Sequence, residues 1–224
     1  MDRIERLTAP LGMVGVVFYL LHTILGRVLW PAYDPITTDI SSLTAVGAPN
    51  RSLLMIFTAV YGVATLLFVA GMLVKAARNG HALVRLGWIL LLVMNLISMF
   101  GYALFPLSGD KEQMTFGNAM HVVVTVAVIF TTIAAGYILA VGFLRQGNTR
   151  KLGAFTLVMA IIITATGALN PIGMANHWNI LGLTERAVIY SLQGMMFVFS
   201  AYYTFSTSEK VGPNPTRSQK ELSI

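Results

Sequence analysis

The 224-residue sequence contains no cysteine and few charged residues. The lack of cysteine excludes disulfide bonds, thiolate metal sites and a cysteine nucleophile. Charged residues make up 11% of the chain, whereas a soluble domain carries roughly a quarter. Hydrophobic residues reach 56%, and the mean hydropathy is +0.72. This composition excludes a soluble globular domain and predicts a polytopic membrane protein.

Six apolar runs are long enough to cross a bilayer core, which takes about 20 helical residues. We expect these spans at 11–30, 53–74, 86–105, 119–144, 152–169 and 187–205. The fifth should stop at Asn170–Pro171, because proline lacks the N–H that continues a helix. The runs predict an all-α fold, a six-helix transmembrane bundle that forms one domain over residues 1–207. Residues 208–224 are rich in Ser, Pro and charge and are expected to form a disordered cytoplasmic tail.

Basic residues are distributed unequally between the two ends of the predicted bundle. Of the 15 Lys and Arg residues, all lie on the side of the chain termini except Arg27, Arg51, Lys111 and Arg186. Basic loops stay in the cytoplasm, so we expect a multi-pass protein of the cell membrane with both termini cytoplasmic. The same bias accounts for the net charge of +6, which therefore does not indicate a nucleic-acid partner.

Every long polar connection lies on the opposite, outer side, at residues 31–51, 106–118 and 170–186. We expect residues 31–51 to roof an outward-facing pocket, because they form the longest polar interruption in the sequence. The candidate pocket-lining residues are His22, Asp34, Asp39, Ser41, His121, His177, Glu185 and Arg186. Any binding or chemistry is therefore expected in the outer half of the bundle.

Three of the four histidines fall on this outer side, together with several carboxylates. Histidine and carboxylate are the expected ligands for zinc or another divalent metal where thiolate is absent. A catalytic zinc needs three protein ligands and an open position for water, which His22, His121 and His177 could supply with Asp39 or Asp34. No HExxH or HxxxH spacing occurs, so this set depends on topology alone. The alternative makes His22 and His121 hydrogen-bonded packing residues and His177 an exposed loop residue.

The polar stretch Asp39-Ile40-Ser41-Ser42 has two interpretations. Ser41 or its neighbour Ser42 could act as a nucleophile with a histidine base, but no Gly-x-Ser-x-Gly motif surrounds them. We favour the simpler interpretation, in which Asp39 or Ser41 caps a short helix.

The basic residue Arg186 departs from the charge bias, and we expect it to form an ion pair with Asp34 or Asp39, with lipid phosphate as the alternative partner. Thr184 is expected to cap the last span, with Glu185 in its first turn. Tyr33 is expected in an interfacial aromatic belt.

A set of short motifs in a fixed order is similar to a known family. The motifs are Tyr33-Asp34-Pro35, Ile40-Ser41-Ser42-Leu43, Gly47-Ala48-Pro49, Phe105-Pro106, His121 and Gly182-Leu183-Thr184-Glu185-Arg186. Over residues 8–207 the chain resembles the bacterial and archaeal six-span membrane family called domain of unknown function 998. Ser41-Ser42 departs from the Ser-Asp that many relatives carry there. The resemblance implies a fold and no particular reaction.

Three functions are compatible with these observations. The first is binding of a lipid or hydrophobic small molecule in the outer pocket, and the second is a lipid-modifying enzyme, such as a metal-assisted hydrolase. The third is a transporter or permease component, which the lack of an internal repeat makes the weakest. Because no catalytic motif is present, the sequence favours binding, with the lipid bilayer as the expected partner and the oligomeric state open.

Overall fold

The computed structural model describes residues 3–108 and 115–205, so the predicted tail at 208–224 lies outside the described residues. The helices of that part of the chain are α1 (Arg3–Thr8), α2 (Leu11–Leu29), α3 (Arg51–Asn79), α4 (Ala82–Leu104), α5 (Phe116–Leu144), α6 (Arg150–Ala175) and α7 (Leu181–Phe205), with 3-10 turns at Ile40–Thr44 and Gly147–Thr149. The expected all-α fold is confirmed.

The long helices form a closed ring. Each of α2 to α6 packs against the next helix in sequence, and α7 packs against both α6 and α2. The α2–α7 seam is tight because Gly12 lacks a side chain: a Cβ there would lie 2.7 Å from Ser200 Cβ and 2.8 Å from Phe68 Cδ1. Ser200 Oγ accepts from the Met13 N–H at 2.9 Å and donates to the Ala9 carbonyl at 2.5 Å. Small residues and a buried hydroxyl thus close the ring, as in other membrane bundles.

The two ends of the ring differ. We call the end with residues 30–50, 105–108 and 176–180 the long-loop end, and the other the short-turn end. In the short-turn half an aromatic core joins Phe68, Trp88, Phe199 and Phe143, with successive ring centroids 5.5–5.7 Å apart. Edge-to-face contacts of this kind stabilise a core beyond its buried area. The polar interior residues of interest lie in the other half.

Five segments in the described part of the chain are long and apolar enough to cross a membrane: Arg3–Leu29, Arg51–Arg78, Ala82–Leu104, Phe116–Leu144 and Gly147–Ala175. The protein is therefore a multi-pass membrane protein. Helix α7 has 25 residues, which at 1.5 Å per residue exceeds the thickness of a bilayer core. Helix α7 is not among these five segments, and Tyr190, Gln193, Tyr202 and Tyr203 contribute polar groups to it.

The predicted end of the fifth span at Asn170–Pro171 is wrong, because α6 continues through Pro171 to Ala175. A proline inside a helix removes one hydrogen bond and crowds the carbonyl of the residue four positions earlier. That residue is Gly167, whose backbone adjusts readily because it carries no Cβ. The helix ends four residues after Pro171, and beyond its end the Trp178 N–H donates to the Gly173 carbonyl at 3.0 Å.

Candidate functional site

The first loop, residues 30–50, packs down onto the bundle. Tyr33, Ile40 and Leu43 are 1%, 3% and 0% exposed, and they form one apolar cluster with Tyr19 of α2 and Leu54 of α3. The side chains of Ile40 and Leu43 therefore occupy the space directly beneath the loop. The loop therefore fills this space as well as covering it. The prediction that Tyr33 lies in an interfacial aromatic belt is wrong, because its side chain is buried under the loop.

The start of α7 holds the first loop in place through four residues, which we call the loop latch: Gly182, Leu183, Glu185 and Arg186. The Leu183 N–H donates to the Ile36 carbonyl at 2.9 Å, and Glu185 Oε2 accepts from the Ile40 N–H at 2.8 Å. Gly182 is required by close approach, since a Cβ there would lie less than 3.0 Å from the carbonyl oxygens of Pro35 and Thr38. Two motifs that are far apart in the sequence, one in the first loop and one at the start of α7, therefore contact each other.

Arg186 supplies the largest share of the latch. Its Nη1 donates to the carbonyls of Pro35 and Thr38 and to that of Gly182 in its own helix, while Nη2 donates to the Tyr33 hydroxyl. The guanidinium also lies 5.4 Å from the centre of the Tyr33 ring, within the range of a cation–π contact. A planar fork with five donors suits this arrangement, which the single ammonium of lysine does not match.

These bonds replace the predicted ion pair of Arg186 with Asp34 or Asp39. Asp34 Oδ1 instead accepts from the Ile36 N–H at 2.9 Å, in the turn around Pro35. Asp39 stands at the N-cap of the 3-10 turn Ile40–Thr44, which confirms the short helix. Its carboxylate makes no capping bond to that turn's backbone, and Oδ1 accepts from Ser42 Oγ at 2.6 Å. One oxygen of each carboxylate therefore accepts from a donor within the first loop itself.

Tyr33 lies outside the spans, and burial raises the pKa of its hydroxyl, an effect that the Arg186 guanidinium opposes. The hydroxyl therefore stays protonated at neutral pH. It donates to the Asp39 carbonyl at 2.8 Å and accepts from Arg186. One hydroxyl thus joins the first and middle parts of the loop to α7. The sequence placed Tyr33 beside Asp34-Pro35, and that motif was the available signal.

Thr184 is not the N-cap of the last span, because α7 begins three residues earlier at Leu181. Its hydroxyl donates to Asn170 Oδ1 at the end of α6, and it also lies 3.1 Å from the Ile180 carbonyl. Thr184 therefore joins α6 to α7. The start of α7 was misplaced because Leu181–Leu183 is too short an apolar run to extend the predicted span.

His22 is 2% exposed, and neither ring nitrogen has a hydrogen-bond partner in the described ranges 3–108 and 115–205. Its ring lies 5.7 Å from that of Tyr19, which in turn lies 4.8 Å from that of Tyr61. Gln193 Nε2 donates to the Tyr61 hydroxyl at 2.9 Å. These four residues form a polar and aromatic cluster between α2, α3 and α7. A buried imidazole without partners costs free energy, and the hydrogen bonds expected of a packing role for His22 are absent among the described residues.

His121 lies on the other side of the ring and ties α5 to α4. Its Nδ1 is 2.9 Å from the Phe105 carbonyl oxygen, and its ring lies 4.8 Å from that of Tyr102. Because a carbonyl only accepts, Nδ1 carries the proton. This contact agrees with the expectation of a hydrogen-bonded packing role for His121.

His177 lies at the turn between α6 and α7, where its φ is 54°. It lines a cavity of about 260 Å³ that also involves Thr37 of the first loop. The predicted metal ligands His22, His121, His177 and Asp39 thus lie in different settings. Among the residues that the structure describes, no group of three or more His, Asp or Glu side chains could hold a metal ion. Nor does a hydrogen bond join Ser41 to a histidine there; the Ser41 carbonyl accepts from Thr44 Oγ1.

A second concave region is a groove of about 520 Å³ between α6 and α7. Met159, Leu183 and Ala187 form its apolar part, and Arg186 and Tyr190 contribute polar groups. Leu183 and Tyr190 are 52% and 39% exposed. The groove therefore opens on the outside of the ring, with a cation near its long-loop end.

The family model described as "Protein of unknown function (DUF998)" matches residues 13–202. No curated protein and no solved structure matches the chain. The match includes the first loop and the loop latch, and it covers most of the chain. The chain therefore belongs to the DUF998 family of proteins of unknown function.

Proposed function

We propose that the protein is a six-span membrane protein with cytoplasmic termini that binds an anionic lipid in the α6–α7 groove. The observation that carries this proposal is Arg186, a cation that lines an apolar groove on the outside of a membrane bundle. The basic residues at the short-turn end support the orientation, because such residues stay in the cytoplasm. The groove then lies at the level of the outer leaflet.

The charge of Arg186 favours an anionic partner. All its protein acceptors are neutral: three carbonyls and the Tyr33 hydroxyl. Its Nε bonds to no acceptor within residues 3–108 and 115–205. A charge at membrane depth is costly unless it is compensated, and guanidinium donors pair well with phosphate oxygens. The latch fixes the guanidinium before the lipid arrives, which lowers the entropic cost of binding.

The apolar part of the groove suits an acyl chain. Met159 lies deeper in the bundle than Arg186, and Leu183 and Ala187 lie beside the cation. A lipid with its phosphate at Arg186 and one chain along α6 satisfies both parts. A soluble ion would contact only the cation, and an apolar molecule would use only the apolar part of the groove.

Native mass spectrometry of the protein released from nanodiscs tests lipid binding. Phosphatidylglycerol should remain bound more than phosphatidylcholine, and Ala187→Trp should abolish this preference by filling the groove. Val123→Trp is the matched control, because Val123 is 55% exposed on α5 and outside the groove. Equal retention of phosphatidylglycerol in Ala187→Trp and Val123→Trp would overturn the proposal.

The proposed orientation is tested separately with an impermeant thiol reagent, because the chain contains no cysteine of its own. Ala175→Cys at the long-loop end should label in intact cells. Asn148→Cys at the short-turn end should label only after permeabilisation. The reverse pattern would place the groove in the inner leaflet.

A further inference from the structure

The cavity that His177 lines is separate from the lipid groove and has a different chemistry. It lies between the end of α6, the start of α7 and the first loop, with a volume of about 260 Å³. Its polar residues are Thr37, Asn170, His177, Asn179 and Thr184. We propose that it binds a neutral, hydroxyl-rich group, either a free sugar or the sugar headgroup of a lipid. This inference does not depend on the proposed lipid groove.

The first argument is the kind of side chain that lines the cavity. Hydroxyl, carboxamide and imidazole groups offer both donors and acceptors, which a sugar hydroxyl needs because it both donates and accepts. Among residues 3–108 and 115–205, no Asp, Glu, Lys or Arg lines this cavity. From these residues a phosphate or an ammonium group would gain no opposite charge. The lining therefore favours a neutral polar ligand.

The second argument is that several of these groups have unused hydrogen-bonding capacity. Asn170 Oδ1 accepts from Thr184 Oγ1, and this bond fixes the side chain with its Nδ2 group still able to donate. The side chains of Thr37, His177 and Asn179 make no hydrogen bond to protein anywhere in the described part of the chain. Polar groups that converge on a concave site in this way provide the orientation and specificity of small-molecule sites.

The third argument is that the turn presenting these groups is held rigidly. His177 and Asn179 have φ values of 54° and 52°, in the left-handed region that histidine and asparagine tolerate better than most residues. The His177 N–H donates to the Met174 carbonyl at 3.2 Å, and the next N–H donates to the Gly173 carbonyl. A preorganised turn reduces the cost of ordering the site when a ligand binds.

The size of the cavity limits the ligand. Pockets for drug-sized molecules measure about 300–1,000 Å³, so 260 Å³ suits a single sugar or a glycerol group. The apolar residues Met174, Ile180 and Leu181 complete the lining and can pack against the C–H surface of a sugar.

Saturation-transfer NMR on the purified protein in a sugar-free detergent tests the proposal with methyl β-glucoside. The glucoside should bind saturably, and Asn179→Gly and Thr37→Val should each weaken binding about five- to tenfold, as the loss of one hydrogen bond predicts. Glycine keeps the left-handed backbone of residue 179, and valine keeps the shape of threonine. Thr38→Val, one residue outside the cavity, should bind as the wild type does.

A second arm uses a glucosyl diacylglycerol in nanodiscs, read by native mass spectrometry with the same variants. Binding of both compounds assigns the site to the sugar itself. Binding of the glycolipid alone, reduced in Asn179→Gly and Thr37→Val, assigns it to a lipid headgroup. Absence of binding in both arms, or binding that these two variants leave unchanged, would overturn the proposal.

Discussion

A single methyl group added at Gly182 should push the first loop away from α7. In Gly182→Ala the new Cβ would lie 2.6 Å from the Pro35 carbonyl oxygen and nearer still to that of Thr38. Both are backbone atoms of one loop, so the loop itself must move. Movement breaks the Leu183–Ile36 bond and at least one Arg186 bond. A neutral bond contributes about 1 kcal/mol and one from a charged donor about 1.5–3 kcal/mol, so undocking should become easier by about 3 kcal/mol.

The assay uses Ser42→Cys as a reporter in the naturally cysteine-free chain. Ser42 is 7% exposed, so a thiol there reacts only when the loop opens. Because 1.4 kcal/mol corresponds to tenfold, Gly182→Ala should speed labelling about a hundredfold.

Gly194→Ala is the matched control, since a Cβ there meets nothing within 4 Å and alanine favours a helix over glycine by about 1 kcal/mol. It should leave labelling unchanged and raise thermal stability. Equal labelling of the reporter in the two backgrounds would refute the idea that α7 holds the loop.

Three further predictions concern thermal unfolding in detergent. His22→Leu should raise stability by about 1–2 kcal/mol, because it removes buried nitrogens without partners; a loss would mean that a bound water or ligand satisfies them. Glu5 and Lys75 form an ion pair of 2.8 Å, so Glu5→Gln and Lys75→Met should each destabilise. Their double variant should cost no more than either single one, and additive losses would show that the pair is not coupled. Pro171→Ala should stabilise α6 by about 1 kcal/mol, because it restores a donor to the Gly167 carbonyl; an unchanged midpoint would show that this carbonyl already has a partner.

The spans could be predicted from the sequence because a bilayer imposes length and apolar composition on each helix. The predictions that were wrong relied on local sequence signals, and tertiary contacts outweighed those signals. Pro171 signals a helix end, yet one lost hydrogen bond is a small cost within α6. Tyr33 resembles an interfacial aromatic, but Arg186 offers its hydroxyl a partner under the loop.

The candidate site was harder to predict, because shared topology does not bring side chains together. Topology places His22, His121 and His177 towards one end of the bundle, but the faces of α2 and α5 that carry the first two are set by packing. Arg186 was recognised as unusual from its charge alone. Its carbonyl partners could not be predicted, because every loop contains backbone carbonyls whatever its amino-acid composition.

The closed ring also dictates an order of assembly. The two helices at its seam, α2 and α7, are separated in sequence by the other four long helices, so α2 leaves the ribosome well before α7. Helices α2 to α6 can pair with their neighbours as they are made, but the first loop cannot dock until α7 arrives with Glu185 and Arg186. Until α7 is in place, the apolar side chains of that loop therefore stay undocked. Docking of the first loop requires that the ring has closed.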